Sequence, residues 1–94
     1  MFLLIKIYTY CVNKEVGDTI RELRKEKHLS QEKLADAIDS HQVYISEIEK
    51  GIKLPSLIII NNIAKVFDVS LTQFMSRIEK KLEKNDTQEP PKSV

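Results

Sequence analysis

QEKLADAIDSHQVYISEIEK, residues 31–50, carries two short apolar stripes on either side of a polar break. Leu34, Ala35 and Ile38 fall on one helical face, and Ile45 and Ile48 on another. Between them Asp39, Ser40 and His41 have the chemistry of a turn. The second segment leaves Gln42, Tyr44, Ser46 and Glu47 outside its apolar stripe. Helices this short are not stable alone in water, so the sequence on either side must cover their apolar faces.

The flanks have the right pattern to do so. Val16, Ile20 and Leu23 recur at i, i+4 and i+7 and predict a first helix over about 15–27. Ser30 is a suitable N-cap for a second helix over about 31–37, with Glu32 placed well for the helix dipole. A third helix is expected over about 42–50, stopped by Gly51. After the loop Lys53-Leu54-Pro55-Ser56, a fourth helix turns Leu57, Ile60, Ile63, Ala64 and Phe67 inward. Ser70 and Gln73 have capping-box spacing and open a fifth helix, whose stripe Leu71, Phe74, Ile78 and Leu82 runs to about Glu83.

The ends read differently. In residues 1–13 apolar and polar positions alternate, with Leu3, Ile5, Ile7 and Cys11 on one face and Lys6, Tyr8 and Tyr10 on the other. This N-terminal extension is expected either as a short β-strand that pairs with the same strand of a second subunit or lies across the helices, or as a disordered start. It lacks the basic region and cleavage site of a secretion signal, and falls well short of the ~20 residues of a spanning helix. Residues 14–84 form the predicted domain, and the polar, proline-bearing residues 85–94 are expected to be a disordered tail.

Ninety-four residues allow one domain and a small core, without room for a deep substrate cavity. The 15 basic and 14 acidic residues leave a net charge of +1, so composition alone does not select nucleic acid; a local basic face would not show in the sum. Cys11 is the single cysteine, which excludes an internal disulfide and fits a cytoplasmic setting. His28 and His41 stand apart, and no HExxH, CxxC or glycine-rich phosphate loop is present. Enzymatic activity, a metal site and a cofactor are therefore not expected.

Two short helices around a tight turn, flanked by helices that complete the core, form a helix-turn-helix whose second helix is free to enter a DNA major groove. Residues 17–74 carry the motifs IRELRKEKHLSQEKLA, YISEIEKG, PSL and IAKVFDVSLTQF in that order. On these motifs the chain resembles the lambda-repressor-like, Cro/cI-type (XRE) helix-turn-helix family over 58 of its 94 residues. The resemblance implies an all-α, five-helix, dimeric domain that binds operator DNA as a transcriptional regulator, most often a repressor acting near its own gene. Antitoxins that also bind a toxin protein, and restriction–modification controller proteins, share this fold and remain alternatives.

Carried over by position, the resemblance places Gln31 near a phosphate, and Gln42 and Val43 at base edges. Gln42 is suited to adenine and Val43 to a thymine methyl. Tyr44 and Ser46 share the exposed side, with Ser46 expected at a phosphate. Glu47 is expected either to accept from a cytosine amino group or to tune local electrostatics. Lys50 and Lys53 are phosphate candidates. Arg24 and Glu49 are implied to form a structural ion pair between the first and third helices. Surplus apolar residues Ile58, Ile59, Ile78 and Leu82 mark the expected dimer interface. The chain departs from the pattern at the turn, with Asp39 where glycine is usual, Ser40 at an apolar position and His41 as N-cap. The turn is accordingly expected to be less firmly anchored.

Overall fold

The computed structural model describes residues 2–88, with side chains placed for residues 12–84. Five helices follow in order: α1 (Phe2–Glu26), α2 (Gln31–Ala37), α3 (Gln42–Glu49), α4 (Leu57–Val66) and α5 (Leu71–Gln88). No strand occurs among the described residues. The strand expected at the N-terminus is therefore corrected, because α1 is helical from Phe2. A lone strand leaves its backbone groups without a ladder partner, whereas a helix satisfies them within the segment. At the other end α5 continues past Glu83 to Gln88. The first four residues of the expected tail are thus helical, and residues 89–94 lie outside the described residues.

Local chemistry starts three helices as the sequence implies. The Ser30 hydroxyl accepts from the Lys33 N–H at 3.0 Å and the Ser56 hydroxyl from the Ile59 N–H at 3.3 Å. Ser70 and Gln73 close a reciprocal capping box, with bonds of 3.0 and 2.9 Å. The C-terminal ends of α1 to α4 are all closed by the paired backbone bonds of a Schellman motif. The left-handed residue in these closures is Gly51 after α3 (φ 80°), but His28, Asp39 and Asp68 elsewhere, at φ 58°, 61° and 59°.

The core is one cluster drawn from every helix. Val16, Ile20 and Leu23 of α1 meet Leu34 and Ala35 of α2, Ile45 and Ile48 of α3, and Ile60, Ile63 and Ala64 of α4. Phe67, Phe74 and Ile78 complete it. Each of the larger side chains contributes roughly 1.5–3 kcal/mol by burial, which holds together helices too short to persist alone. Helices α1 and α5 run antiparallel, since Glu22 pairs with Lys81 (2.8 Å) and Glu26 with Arg77 (3.2 Å). Leu57 departs from its expected inward position and is 61% exposed. It lies on the expected stripe but at the first residue of α4, one turn before the first buried position, Ile60.

Candidate nucleic-acid interface

Helix α3 has only eight residues, and its surroundings fix its position. Its inner face inserts Ile45 and Ile48, both 0% exposed, into the core. Its C-terminal half lies directly on α1 at Gly17. A Cβ at Gly17 would stand 2.3 Å from the Ile48 carbonyl oxygen and 2.8 Å from that of Glu49. Only glycine allows that approach of two helix backbones.

The second attachment is polar. Glu49 is buried, and its carboxylate accepts from Arg24 Nε at 2.7 Å and Arg24 Nη2 at 3.1 Å. The structure thus brings together the two residues that the resemblance pairs. Arg24 also donates through Nη1 to the Leu29 carbonyl at 2.9 Å, tying the α1–α2 turn to the same group. Gln31 Nε2 donates to Glu49 Oε1 at 3.0 Å, and Gln42 Nε2 reaches Gln31 Oε1 at 3.4 Å. A continuous polar chain therefore runs from α1 through the C-terminal end of α3 and the start of α2 to the start of α3. Arg21 adds a bond to the Glu49 carbonyl at 3.2 Å, with its Nε 3.7 Å from the carboxylate.

Two of these residues carry roles that sequence reasoning does not assign. Gly17 opens the family-like span, and an isolated glycine inside a helical pattern is the one signal that points to it. Arg21 shows no such signal, because it is one of many charges on the polar side of α1.

The outward side of α3 is open. Gln42 and Lys50 are exposed, Val43 is 68% exposed, and Ser46 and Glu47 are half-buried. Together with Ile52 they line one shallow groove. Tyr44 is half-buried and packs partly on the core. Gln31 is half-buried, at the start of α2 next to Gln42. Lys53 folds back onto α3, with its Nζ 3.2 Å from Glu47 Oε1 and 6.0 Å from the Tyr44 ring centre. His41 is the N-cap of α3 without a side-chain capping bond.

The residues expected at a dimer interface separate into three situations. Ile58 is 74% exposed, while Ile59 and Leu82 are half-buried against the core. Ile78 is 3% exposed and belongs to the core, so its expected place on a free surface is corrected. Phe74, one turn earlier on the same stripe, is likewise in the core, and Leu82, one turn later, packs partly against it. Leu54 (51% exposed) and Leu57 extend the apolar patch around Ile58. Among the described residues no group of His, Cys, Asp or Glu is arranged to hold a metal ion, and no single helix is long and apolar enough to cross a membrane.

The ImmF control region 10 kDa protein of Bacillus phage phi105 is 40% identical over 58 residues, covering 62% of this chain and 64% of the phage protein. Control protein C.MunI of Mycoplasma sp. is 40% identical over 65 residues, covering 68% of this chain and 88% of the control protein. Among solved structures, the restriction–modification controller protein C.Esp1396I, as a tetramer in complex with its natural 35-base-pair operator, superposes with a TM-score of 0.69 at 28% identity. That match covers 77% of this chain and 95% of the controller. The helix-turn-helix family model HTH_3 matches residues 20–74, a span that contains the Arg24–Glu49 pair, the turn and the whole exposed face of α3, and the chain belongs to that family.

Proposed function

We propose that this protein is a sequence-specific regulator of transcription that binds double-stranded operator DNA through α3 and represses a promoter near its own gene. The observation that carries the reading is the contrast between the two sides of α3. Its inner side is held by apolar burial, the Gly17 contact and the Glu49 network, while Gln42 and Val43 at its start are exposed to solvent, Gln42 with its amide bonded to Gln31. That is the posture a helix needs to enter a major groove as a rigid body. Gln42 offers a bidentate amide for adenine and Val43 an apolar surface for a thymine methyl, with Ser46 and Lys50 toward the phosphates. Gln31 acts from the start of α2, orienting Gln42 and approaching the backbone. The chemistry is recognition without catalysis, acting on DNA in the cytoplasm.

Two protomers are needed to read two half-sites about one helical turn apart, ~34 Å. The exposed Leu54, Leu57 and Ile58, with the half-buried Ile59 and Leu82, supply apolar surface for that pairing. Operator-bound assembly of C.Esp1396I, a related controller, supports this arrangement.

The test is fluorescence anisotropy with DNA from immediately upstream of the gene, against random competitor, across salt concentrations. Preference for the upstream DNA by ~1,000-fold or more, weakening as salt rises, is the expected result. Equal weak binding to both DNAs would overturn the proposed target, and a protein captured in its place, such as a toxin, would overturn the DNA-centred reading.

A further inference from the structure

Resting on the DNA-binding reading, we infer that Glu47 is a specificity-determining residue that selects an amino-bearing base in the major groove. On the same grounds Lys53 is the positioning residue that holds it there, and touches no phosphate. The groove on α3 sets the problem. Glu47 lines it beside Val43, Ser46 and Lys50, at i+4 from Val43 and i−3 from Lys50, so its carboxylate stands on the face that meets DNA. A carboxylate approaching a polyanion is repelled unless a cation neutralises it or a donor on a base receives it.

The structure supplies the cation from the same chain. The loop after α3 doubles back, with the Ile52 and Lys53 N–H groups both directed at the Glu47 carbonyl oxygen, at 2.9 and 3.4 Å. This brings the Lys53 ammonium 3.2 Å from Glu47 Oε1 and over the Tyr44 ring at 6.0 Å. A lysine on a flexible stem would ordinarily sweep a wide volume. Here the carboxylate and the ring hold it from two sides. An ion pair this exposed adds little to stability. Its effect is on direction and charge: one carboxylate oxygen is engaged by Lys53 and the other is left to accept. Cytosine N4 and adenine N6 present donors in the major groove, whereas guanine and thymine present acceptors at the corresponding edge. Glu47 therefore favours the first pair and disfavours the second, and the Lys53 charge is already compensated when the complex forms.

Selection of binding sites from a randomised duplex library, followed by anisotropy titrations of the selected sites, separates the roles. The wild-type protein should show, at one position per half-site, a preference of about tenfold for an amino-bearing base. E47Q should lose that preference while the rest of the motif persists, because the amide both donates and accepts. K53M should weaken the same preference and leave the salt dependence unchanged. If Lys53 instead neutralises a phosphate, K53M does the opposite: binding weakens uniformly on all sequences, and the salt slope becomes shallower by about 0.9. That result, or an unchanged motif with E47Q, overturns the inference while leaving the DNA-binding reading intact. A wild-type selection that yields no motif overturns both. Both positions are on the surface, and circular dichroism of each variant verifies the fold.

Discussion

Replacing Glu49 with glutamine should damage the protein well beyond the loss of one surface charge. The carboxylate is 1% exposed, and Arg24, its main partner, is 13% exposed. Three donors converge on it, Arg24 Nε and Nη2 and Gln31 Nε2, all within 3.1 Å. An amide of the same shape offers one acceptor oxygen and turns an NH2 group toward groups that can only donate. Arg24 keeps its bond to the Leu29 carbonyl but loses its counter-charge. Removing one partner of a buried pair costs about 3 kcal/mol or more, because the surviving charge stays desolvated. Arg21, 42% exposed, adds less than ~1 kcal/mol. At about 4–8 °C per kcal/mol for a domain of this size, the melting temperature should fall by roughly 12–24 °C. DNA affinity, measured below the transition, should fall about tenfold, because Gln31 and Gln42 lose their anchor and the start of α3 loosens. A second variant, R24M/E49M, should recover much of the lost stability, since both charges leave the interior together. Thermal unfolding and anisotropy on the same samples decide the matter. A Glu49→Gln protein that melts within ~3 °C of the parent and binds DNA equally well would refute the reasoning.

Other outcomes follow from single residues. Gly17→Ala should destabilise the fold by about 3 kcal/mol or more despite a helix-propensity gain near 1 kcal/mol, because its Cβ meets backbone atoms that cannot move aside; denaturant unfolding measures it. His28→Gly should raise the melting temperature by a few degrees, since the residue sits at φ 58° and glycine relieves about 1 kcal/mol of left-handed strain. Leu57→Asp combined with Ile58→Asp should give a folded monomer in sedimentation, both side chains being more than half exposed; a persisting dimer would move the interface elsewhere. Gln42→Ala should reduce discrimination at an adenine by about tenfold while leaving the melting temperature unchanged, which site-by-site anisotropy reads directly.

The helices were legible where local chemistry and pattern agreed. Serines at 30, 56 and 70 each announce a helix start, and each makes the capping bond its position implies. The stripes of α1, α3 and α5 place their large side chains in the core. Legibility ended where a residue's environment depends on what lies across from it. Leu57 and Ile60 occupy the same stripe of α4, yet one is 61% and the other 6% exposed, a difference the periodicity alone does not carry. Ile78 continues an apolar stripe past the family-like segment and reads as surplus surface; only the packed fold shows that it belongs to the core. At the N-terminus the alternation in residues 1–13 is real, but a period of two carries no structural weight without a second strand to receive it.

The layout of α3 also explains why its reading face can change while its seat cannot. Every attachment that sets its position lies on the inner side or toward its C-terminal end: Ile45 and Ile48 in the core, the Gly17 contact with the Ile48 and Glu49 carbonyls, and the Arg24–Glu49 pair. Val43, Ser46, Glu47 and Lys50 take part in none of these attachments, so substitution there changes which bases are met without changing where the helix lies. Gln42 is the exception, since its amide bonds to Gln31, which in turn bonds to Glu49. A substitution at Gln42 therefore alters a base contact and the last, exposed link of the polar chain together. Its effect on affinity should be non-additive with Gln31→Ala, whereas Val43→Ala combined with Gln31→Ala should be close to additive. A double-mutant cycle on one operator distinguishes the two cases, and equal additivity for both pairs would show that the polar chain has no part in positioning the reading face.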